Sequence, residues 1–96
     1  MARKQYRLEF TPRADKDLRK LTKEDQERIS PAIDKLSANP RPSGHKVLKG
    51  KKLTCYRIRV GPFRVVYCIE DEKVVVLVLR IGDRKEIYKL LDRLQE

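Results

Sequence analysis

The sequence is poor in the residues that build metal sites and disulfide frameworks. Its 96 residues include one histidine, His45, and two cysteines, Cys55 and Cys68, which are too far apart for a CxxC pair. A zinc site is therefore not expected, and no metal or other cofactor is predicted. Two reduced, packed thiols are the expectation in a reducing compartment.

Long apolar runs are missing as well. No stretch approaches the roughly 20 residues that a membrane helix needs. The start, MARKQYRLEF, lacks the apolar segment of a secretory signal. Hydrophobic and charged residues each make up 40% of the chain, which is too apolar for a disordered protein. We expect one compact domain over residues 1–96, cytoplasmic and without a membrane partner.

Acidic residues are too few to balance the basic ones. Lysine and arginine total 24 against 14 aspartates and glutamates, which gives a formal net charge of +10. A small domain with this charge repels itself, so the excess predicts a polyanionic partner, with nucleic acid first. An acidic protein, a membrane surface or a role in solubility alone are the alternatives.

The first half of the chain predicts one strand and two helices. Gln5–Phe10 alternates between apolar and polar residues, as a half-buried strand does. Thr11, followed by a proline, and Thr22 are typical helix N-caps. The second helix should end before Asn39 and the proline that follows it. Pro31 lies inside that helix and should either kink it or force a break before it.

The second half predicts a β-meander. A basic loop, with a short strand at Lys46–Leu48, leads into two alternating strands and one fully apolar strand, all joined by short turns. The tail KEIYKLLDRLQE predicts a short helix. The order β-α-α-β-β-β with a C-terminal helix predicts an α+β fold, in which two helices pack on one face of a small twisted antiparallel sheet. The other face is left partly open.

The stretch YRIRVGPFRVVY predicts a hairpin with arginines on one face. If its Gly-Pro pair is a two-residue turn, Arg59 lies directly opposite Arg64. Like charges in that position destabilise a sheet, so the pairing indicates an anion bound between them. The same register sets Arg57 opposite Val66 and Cys55 opposite Cys68, with the apolar residues on the other face.

Further cations should surround this hairpin. Arg80 and Arg84 flank the sequence IGD at the end of the last strand, and Tyr88 follows. The guanidinium group grips phosphate oxygens in pairs and stays charged near neutral pH, so a cationic site for phosphate is predicted. Arg59, Arg64 and Arg84 are its strongest candidates. Lysines of the loop before the hairpin add to the same cationic surface: Lys46, Lys49, Lys51 and Lys52.

The segments LKG, YRIRVG, FRVVY and RIGDRKEIY, in this order and spacing, resemble the RelE branch of the RelE/ParE toxin superfamily. The likeness extends more weakly through the two helices. It implies the toxin of a type II toxin–antitoxin system, an endoribonuclease that cleaves messenger RNA in the ribosomal A site. The implied partners are a RelB-like antitoxin, messenger RNA and the ribosome. Operator DNA is implied only for the complex with the antitoxin.

The resemblance also implies roles for individual residues. The basic strand residues of the family correspond to Arg57, Arg59 and Arg64, and the later arginine and tyrosine correspond to Arg84 and Tyr88. The predicted catalytic and RNA-binding residues are, in full, Arg59, Arg64, Arg84 and Tyr88 for catalysis, and Arg57, Arg80 and the four loop lysines for binding RNA or the ribosome.

The group that accepts the proton of the ribose 2′-hydroxyl is left open by the sequence. Some relatives carry lysines where this chain has Arg57 and Arg59, and some carry histidine where Asp83 stands. Arginine is a poor proton acceptor because its pKa lies above about 12. A lysine of lowered pKa, Tyr88, Glu86 or no protein base at all are the alternatives.

Other functions compatible with the pattern are a ribosome-independent RNase and a ParE-like toxin that inhibits DNA gyrase and cuts nothing. A simple nucleic-acid-binding module and an inactive toxin are further alternatives. The combination of Arg59, Arg64 and Arg84 with Tyr88 favours the nuclease, because a gyrase inhibitor has no need of a phosphate-cleavage site.

Overall fold

The computed structural model describes residues 5–48 and 54–94, with side chains as far as Leu90 in the last helix. The predicted α+β organisation is confirmed, including the short strand in the basic loop. The elements are β1 (Arg7–Phe10), α1 (Pro12–Lys20), α2 (Lys23–Ala38), β2 (Lys46–Leu48), β3 (Cys55–Val60), β4 (Phe63–Glu70), β5 (Val75–Asp83) and α3 (Arg84–Leu94).

Threonine caps begin the first two helices, as predicted. The Thr11 hydroxyl accepts a hydrogen bond from the Ala14 amide, and the Thr22 hydroxyl accepts one from the Asp25 amide, both at 3.1 Å. Helix α2 continues through Pro31, so the proline does not break the helix, which was one of the two predicted outcomes. Buried apolar residues on both sides of the proline, such as Ile29 and Ile33, stabilise the helix against its lost backbone hydrogen bond.

The sheet has five strands in the order β1-β5-β4-β3-β2 and is mixed. Strands β2 to β5 are antiparallel, as the short turns predict, but β1 pairs parallel to β5. The expectation of a wholly antiparallel sheet is therefore wrong for β1. No short turn connects β1 to its partner, because the chain passes through both long helices first, so local sequence could not set its direction.

The β3–β4 hairpin has the predicted register. Arg59 pairs with Arg64, and Cys55 pairs with Cys68. The turn depends on Gly61, whose φ of +59° suits the first central position of a two-residue hairpin turn and strains residues with a Cβ. The hairpin face opposite the arginines packs into the core.

That core lies between the sheet and helices α1 and α2. It joins the buried helix residues to the inward residues of β3, β4 and β5, and Tyr67, Val76 and Val78 are fully buried there. The Tyr67 hydroxyl donates a 2.7 Å hydrogen bond to the Pro40 carbonyl, which ties the loop after α2 to the sheet. None of the helices in the described ranges combines the length and apolarity needed to span a membrane.

The edge of β5 beyond the end of β1 is covered by side chains from the α1 region. The Thr11 hydroxyl donates to the Leu79 carbonyl at 2.8 Å. The Asp17 carboxylate accepts a 3.0 Å hydrogen bond from the Ile81 amide. Helix α1 thus satisfies backbone groups that β1 is too short to reach.

Candidate nucleic-acid interface and active site

Arginines converge on the sheet face opposite α1 and α2. Arg57 and Arg59 of β3 and Arg64 of β4 lie on this face by the hairpin register, and Arg84 and Tyr88 of α3 join them. We call these five residues the arginine face. The structure therefore brings together all four residues predicted as catalytic, together with Arg57.

Two of these arginines are buried. Arg57 is 6% exposed and Arg64 is 5% exposed. The Arg64 Nη1 donates to the Phe63 carbonyl at 3.1 Å. The Nη1 of Arg57 and the Nε of Arg64 are buried and have no hydrogen-bond partner among the described residues. A buried cation without a partner is costly, so an anion bound at this face would be strongly favoured.

The charges on this face interact. Burial lowers the pKa of Arg64, and the neighbouring charges of Arg59 and Arg57 lower it further, while Tyr88 has the opposite effect. An arginine keeps its proton near neutral pH even so. The groups that alter the pKa of Arg64 therefore lie near it.

Helix α3 approaches the sheet on the same side as Arg64. Gly82 of β5 is directly opposite Arg64. A Cβ at Gly82 would lie 2.8 Å from Glu86 Oε2 and 3.6 Å from Ile87 Cδ1, so a glycine permits this close approach. The Asp83 carboxylate accepts a 2.8 Å hydrogen bond from the Glu86 amide at the start of the helix. Asp83 therefore has a structural role as the helix cap.

Arg84 and Tyr88 are one helical turn apart on α3. The guanidinium carbon of Arg84 lies 5.5 Å from the centre of the Tyr88 ring. Hydrogen bonding and charge from Arg84 lower the pKa of Tyr88, and Arg57 and Arg64 add to the effect. The phenol is 44% exposed, which leaves it accessible to a bound nucleotide.

The guanidinium of Arg80 is engaged by helix α1, and its assignment to RNA binding stays a prediction. Its Nε lies 2.8 Å from Asp17 Oδ2, and its Nη2 lies 3.3 Å from Asp17 Oδ1. The guanidinium is thus paired with a carboxylate of α1 at the edge of β5. Asp17 is too distant in the chain for any local pattern to indicate the contact.

The loop lysines are only partly accounted for. Lys46 is exposed on β2 and pairs in register with Arg57, so it extends the cationic surface across the sheet. Lys49, Lys51 and Lys52 lie outside the described residues.

Two cations of α2 were missed by the sequence interpretation. Arg28 and Lys35 line a cleft of about 590 Å³ between α2 and β3, and Arg59 lies at the same cleft. The sequence could have indicated this pair, because residues seven apart, about two helical turns, lie on the same face of a helix. The positive surface therefore continues from the arginine face around the end of β3 that extends beyond its pairing with β2.

A small α+β protein whose sheet holds buried arginines, with guanidinium nitrogens left without partners in its described part, is suited to bind a phosphodiester. Comparison with known proteins agrees with a small α+β protein of this kind. The family model described as the ParE toxin of the type II toxin–antitoxin system parDE matches residues 8–88. The chain belongs to this toxin family, and within it the chain is a RelE-type toxin.

The relatives support the RelE assignment. The mRNA interferase toxin RelE of Escherichia coli K12 is 37% identical over 87 residues, which cover 86% of this chain and 90% of that protein. The isolated E. coli RelE structure has a TM-score of 0.70 at 35% identity, covering 92% of this chain and 96% of that one. The archaeal RelE–RelB complex from Pyrococcus horikoshii OT3 has a TM-score of 0.73 at 28% identity, covering 83% and 96%.

Proposed function

We propose that this protein is an endoribonuclease toxin that cleaves messenger RNA in the ribosomal A site and so inhibits translation. The observation that carries the proposal is the pair of buried guanidinium nitrogens, on Arg57 and Arg64, without a hydrogen-bond partner in the described chain. The names of the E. coli and Shigella flexneri relatives, which are mRNA interferases, support it.

The proposed reaction needs no metal. The ribose 2′-hydroxyl attacks the adjacent phosphorus, the bond to the 5′ oxygen breaks, and a cyclic phosphate forms. DNA has no 2′-hydroxyl and is therefore spared. Alignment of nucleophile and leaving group supplies several kcal/mol, and each fixed cation on the developing charge supplies roughly 3 kcal/mol.

Each residue of the arginine face has a role in this reaction. Arg64 binds the scissile phosphate and the negative charge that develops on it, because it is buried at the centre of the cluster. Arg84 acts on the same charge or on the leaving oxygen. Arg59 lies towards the nucleophile, and Arg57, with Lys46, binds the flanking phosphate.

Tyr88 is the proposed proton acceptor. Its pKa is lowered by Arg84, Arg57 and Arg64, so its phenolate forms more readily than that of an ordinary tyrosine. Glu86 is less suited, because its carboxylate lies against Gly82 and lines a separate cavity with Asp17 and Arg80. A single weak base predicts slow cleavage of free RNA and dependence on the ribosome for alignment.

The proposed partners follow from the same surface. A RelB-like antitoxin would cover the arginine face, since solved relatives include RelE–RelB complexes. We further propose that the toxin acts in the cytoplasm and contacts operator DNA only together with its antitoxin. The family model carries the ParE name, which makes gyrase inhibition the second candidate function.

The test adds the purified protein to translating ribosomes and maps the messenger RNA ends. Cuts within A-site codons are the expected result, and Arg64→Ala protein is the matched inactive control. Intact message together with blocked DNA supercoiling would establish the gyrase alternative instead. Equal cleavage with and without ribosomes would identify a ribosome-independent RNase.

A further inference from the structure

Cys55 and Cys68 face each other across the hairpin, and the proposed function does not use them. They are directly paired on β3 and β4, and their Sγ atoms lie 3.2 Å apart. With a two-residue turn after Val60, alternate pairs of the hairpin, including this one, are non-hydrogen-bonded and have Cα atoms about 4.5 Å apart. That separation is within the roughly 4.4–6.8 Å that a disulfide spans.

The two thiols differ in exposure and acidity. Cys55 is half-buried, whereas Cys68 is 2% exposed. The hydrogen bond with Cys68 lowers the pKa of Cys55 to about 7, although burial opposes the shift. The same hydrogen bond and burial raise the pKa of Cys68. Because the thiolate is the nucleophile, Cys55 is suited to attack first and Cys68 to attack second.

We propose that Cys55 and Cys68 are a redox modification site that closes to an intramolecular disulfide on reaction with a low-molecular-weight disulfide. Cys55 attacks one sulfur of the reagent, forms a mixed disulfide and releases one thiolate. Cys68 then attacks Cys55 Sγ and releases the second thiolate, and the protons of both cysteines pass to the two leaving thiolates. The protein loses two electrons and two protons, and the reagent gains them.

The bond would tie β3 to β4 one row away from Arg57. Cys55–Cys68 is the pair next to Arg57–Val66 on the arginine face. Cross-linking these neighbours limits the freedom of the unfolded chain, so oxidation stabilises the fold. The inference does not depend on RNA cleavage, and its test measures thiols and stability alone.

The test treats the full chain with oxidised glutathione and follows it by intact mass and thiol titration. We expect both thiols to disappear with loss of two hydrogens, in a monomer, and dithiothreitol to restore them. The melting temperature should rise by about 5–10 °C on oxidation. Disulfide-linked dimers, or a stable adduct with two glutathiones, would overturn the proposal.

Two variants test the order of attack. Cys68→Ala protein should stop at a mixed disulfide between Cys55 and glutathione, while Cys55→Ala protein should stay unmodified as long as it is folded. Because Cys68 is buried and its variant could lose stability, the wild-type protein is also treated briefly with limiting iodoacetamide. Peptide mapping should find Cys55 alkylated first, and equal alkylation of Cys68 would refute the assigned order.

Discussion

The two faces of the sheet treat polar groups in opposite ways. On the helix face, the hydroxyl of Tyr67 is bonded to the Pro40 carbonyl, and at the edge of β5 Arg80 is paired with Asp17. On the arginine face, Arg57 and Arg64 are buried more deeply than Arg80, but each keeps a guanidinium nitrogen without a hydrogen-bond partner in the described structure. Satisfied groups stabilise a fold, whereas unsatisfied buried cations cost stability. The difference supports the proposal that the arginine face binds an anion.

The same contrast holds for one residue type. Burial raises the pKa of Tyr67 to about 12 on the helix face. Arg84 and the neighbouring arginines lower the pKa of Tyr88 on the arginine face. The apolar core disfavours the phenolate of Tyr67, and the neighbouring cations favour the phenolate of Tyr88. The two tyrosines therefore report the different electrostatic environments of the two faces.

The largest expected effect is on RNA cleavage, and it should differ between two adjacent residues of β4, Arg64 and Val65. Arg64→Met should reduce RNA cleavage on ribosomes by about a hundredfold or more, because it removes the central cation. Its free energy of unfolding should be unchanged or higher, since methionine keeps the apolar stem and removes an unpaired charge. The measurements are message cleavage on programmed ribosomes and urea unfolding.

Val65→Ala is the matched control on the helix face. It should lower the free energy of unfolding by about 2 kcal/mol, because Val65 is fully buried in the core, and should leave the arginines in place. If Arg64→Met destabilises the fold as much as Val65→Ala does, the two faces do not differ as described.

A second pair of variants compares Arg80, near the end of β5, with Arg84, the first residue of α3. Arg80→Ala should lower the free energy of unfolding by about 1–3 kcal/mol, because the largely buried Asp17 carboxylate loses its cationic partner and keeps only the Ile81 amide. Ribosome-dependent cleavage should persist. Arg84→Ala should do the reverse, with cleavage reduced by about a hundredfold and stability retained. Loss of cleavage in folded Arg80→Ala protein would support the assignment of Arg80 to RNA binding.

The smallest effect is the titration of the two tyrosines. The pKa of Tyr88 should lie below 10.0, the ordinary value for a tyrosine, and the pKa of Tyr67 should lie near 12. Ultraviolet difference titrations of Tyr88→Phe and Tyr67→Phe against the wild type assign the two transitions. A Tyr88 transition at or above that of a free tyrosine would remove the support for its role as proton acceptor.

Stability should depend on pH with opposite signs at these residues. Unfolded Tyr67 ionises near 10 and folded Tyr67 near 12, so its contribution is present below 10 and is lost as the pH rises from 10 to 12. Tyr88 ionises earlier in the folded state, so its contribution is present above 10 and is lost as the pH falls through its lowered pKa. Urea unfolding of the wild type and each phenylalanine variant measures the difference.

Local sequence predicted much of this architecture. Threonine caps, alternating strands and the Gly61 turn each act over a few residues, so the helices, the meander and the β3–β4 register could be inferred before any coordinates. The opposition of Arg59 and Arg64 follows from that register alone. Strand alternation has a period of two, so a known turn decides which side chains share a face.

The sequence by itself therefore determined the elements, the hairpin register and the set of arginines on one face. The tertiary structure alone decided that β1 runs parallel to β5, that Arg80 turns to Asp17 and that α3 comes close at Gly82. It also decided that Arg57 Nη1 and Arg64 Nε are buried without a hydrogen-bond partner among the described residues. Those outcomes depend on contacts between residues far apart in the chain. The periodicity of apolar residues does not indicate which distant side chain packs at a given position.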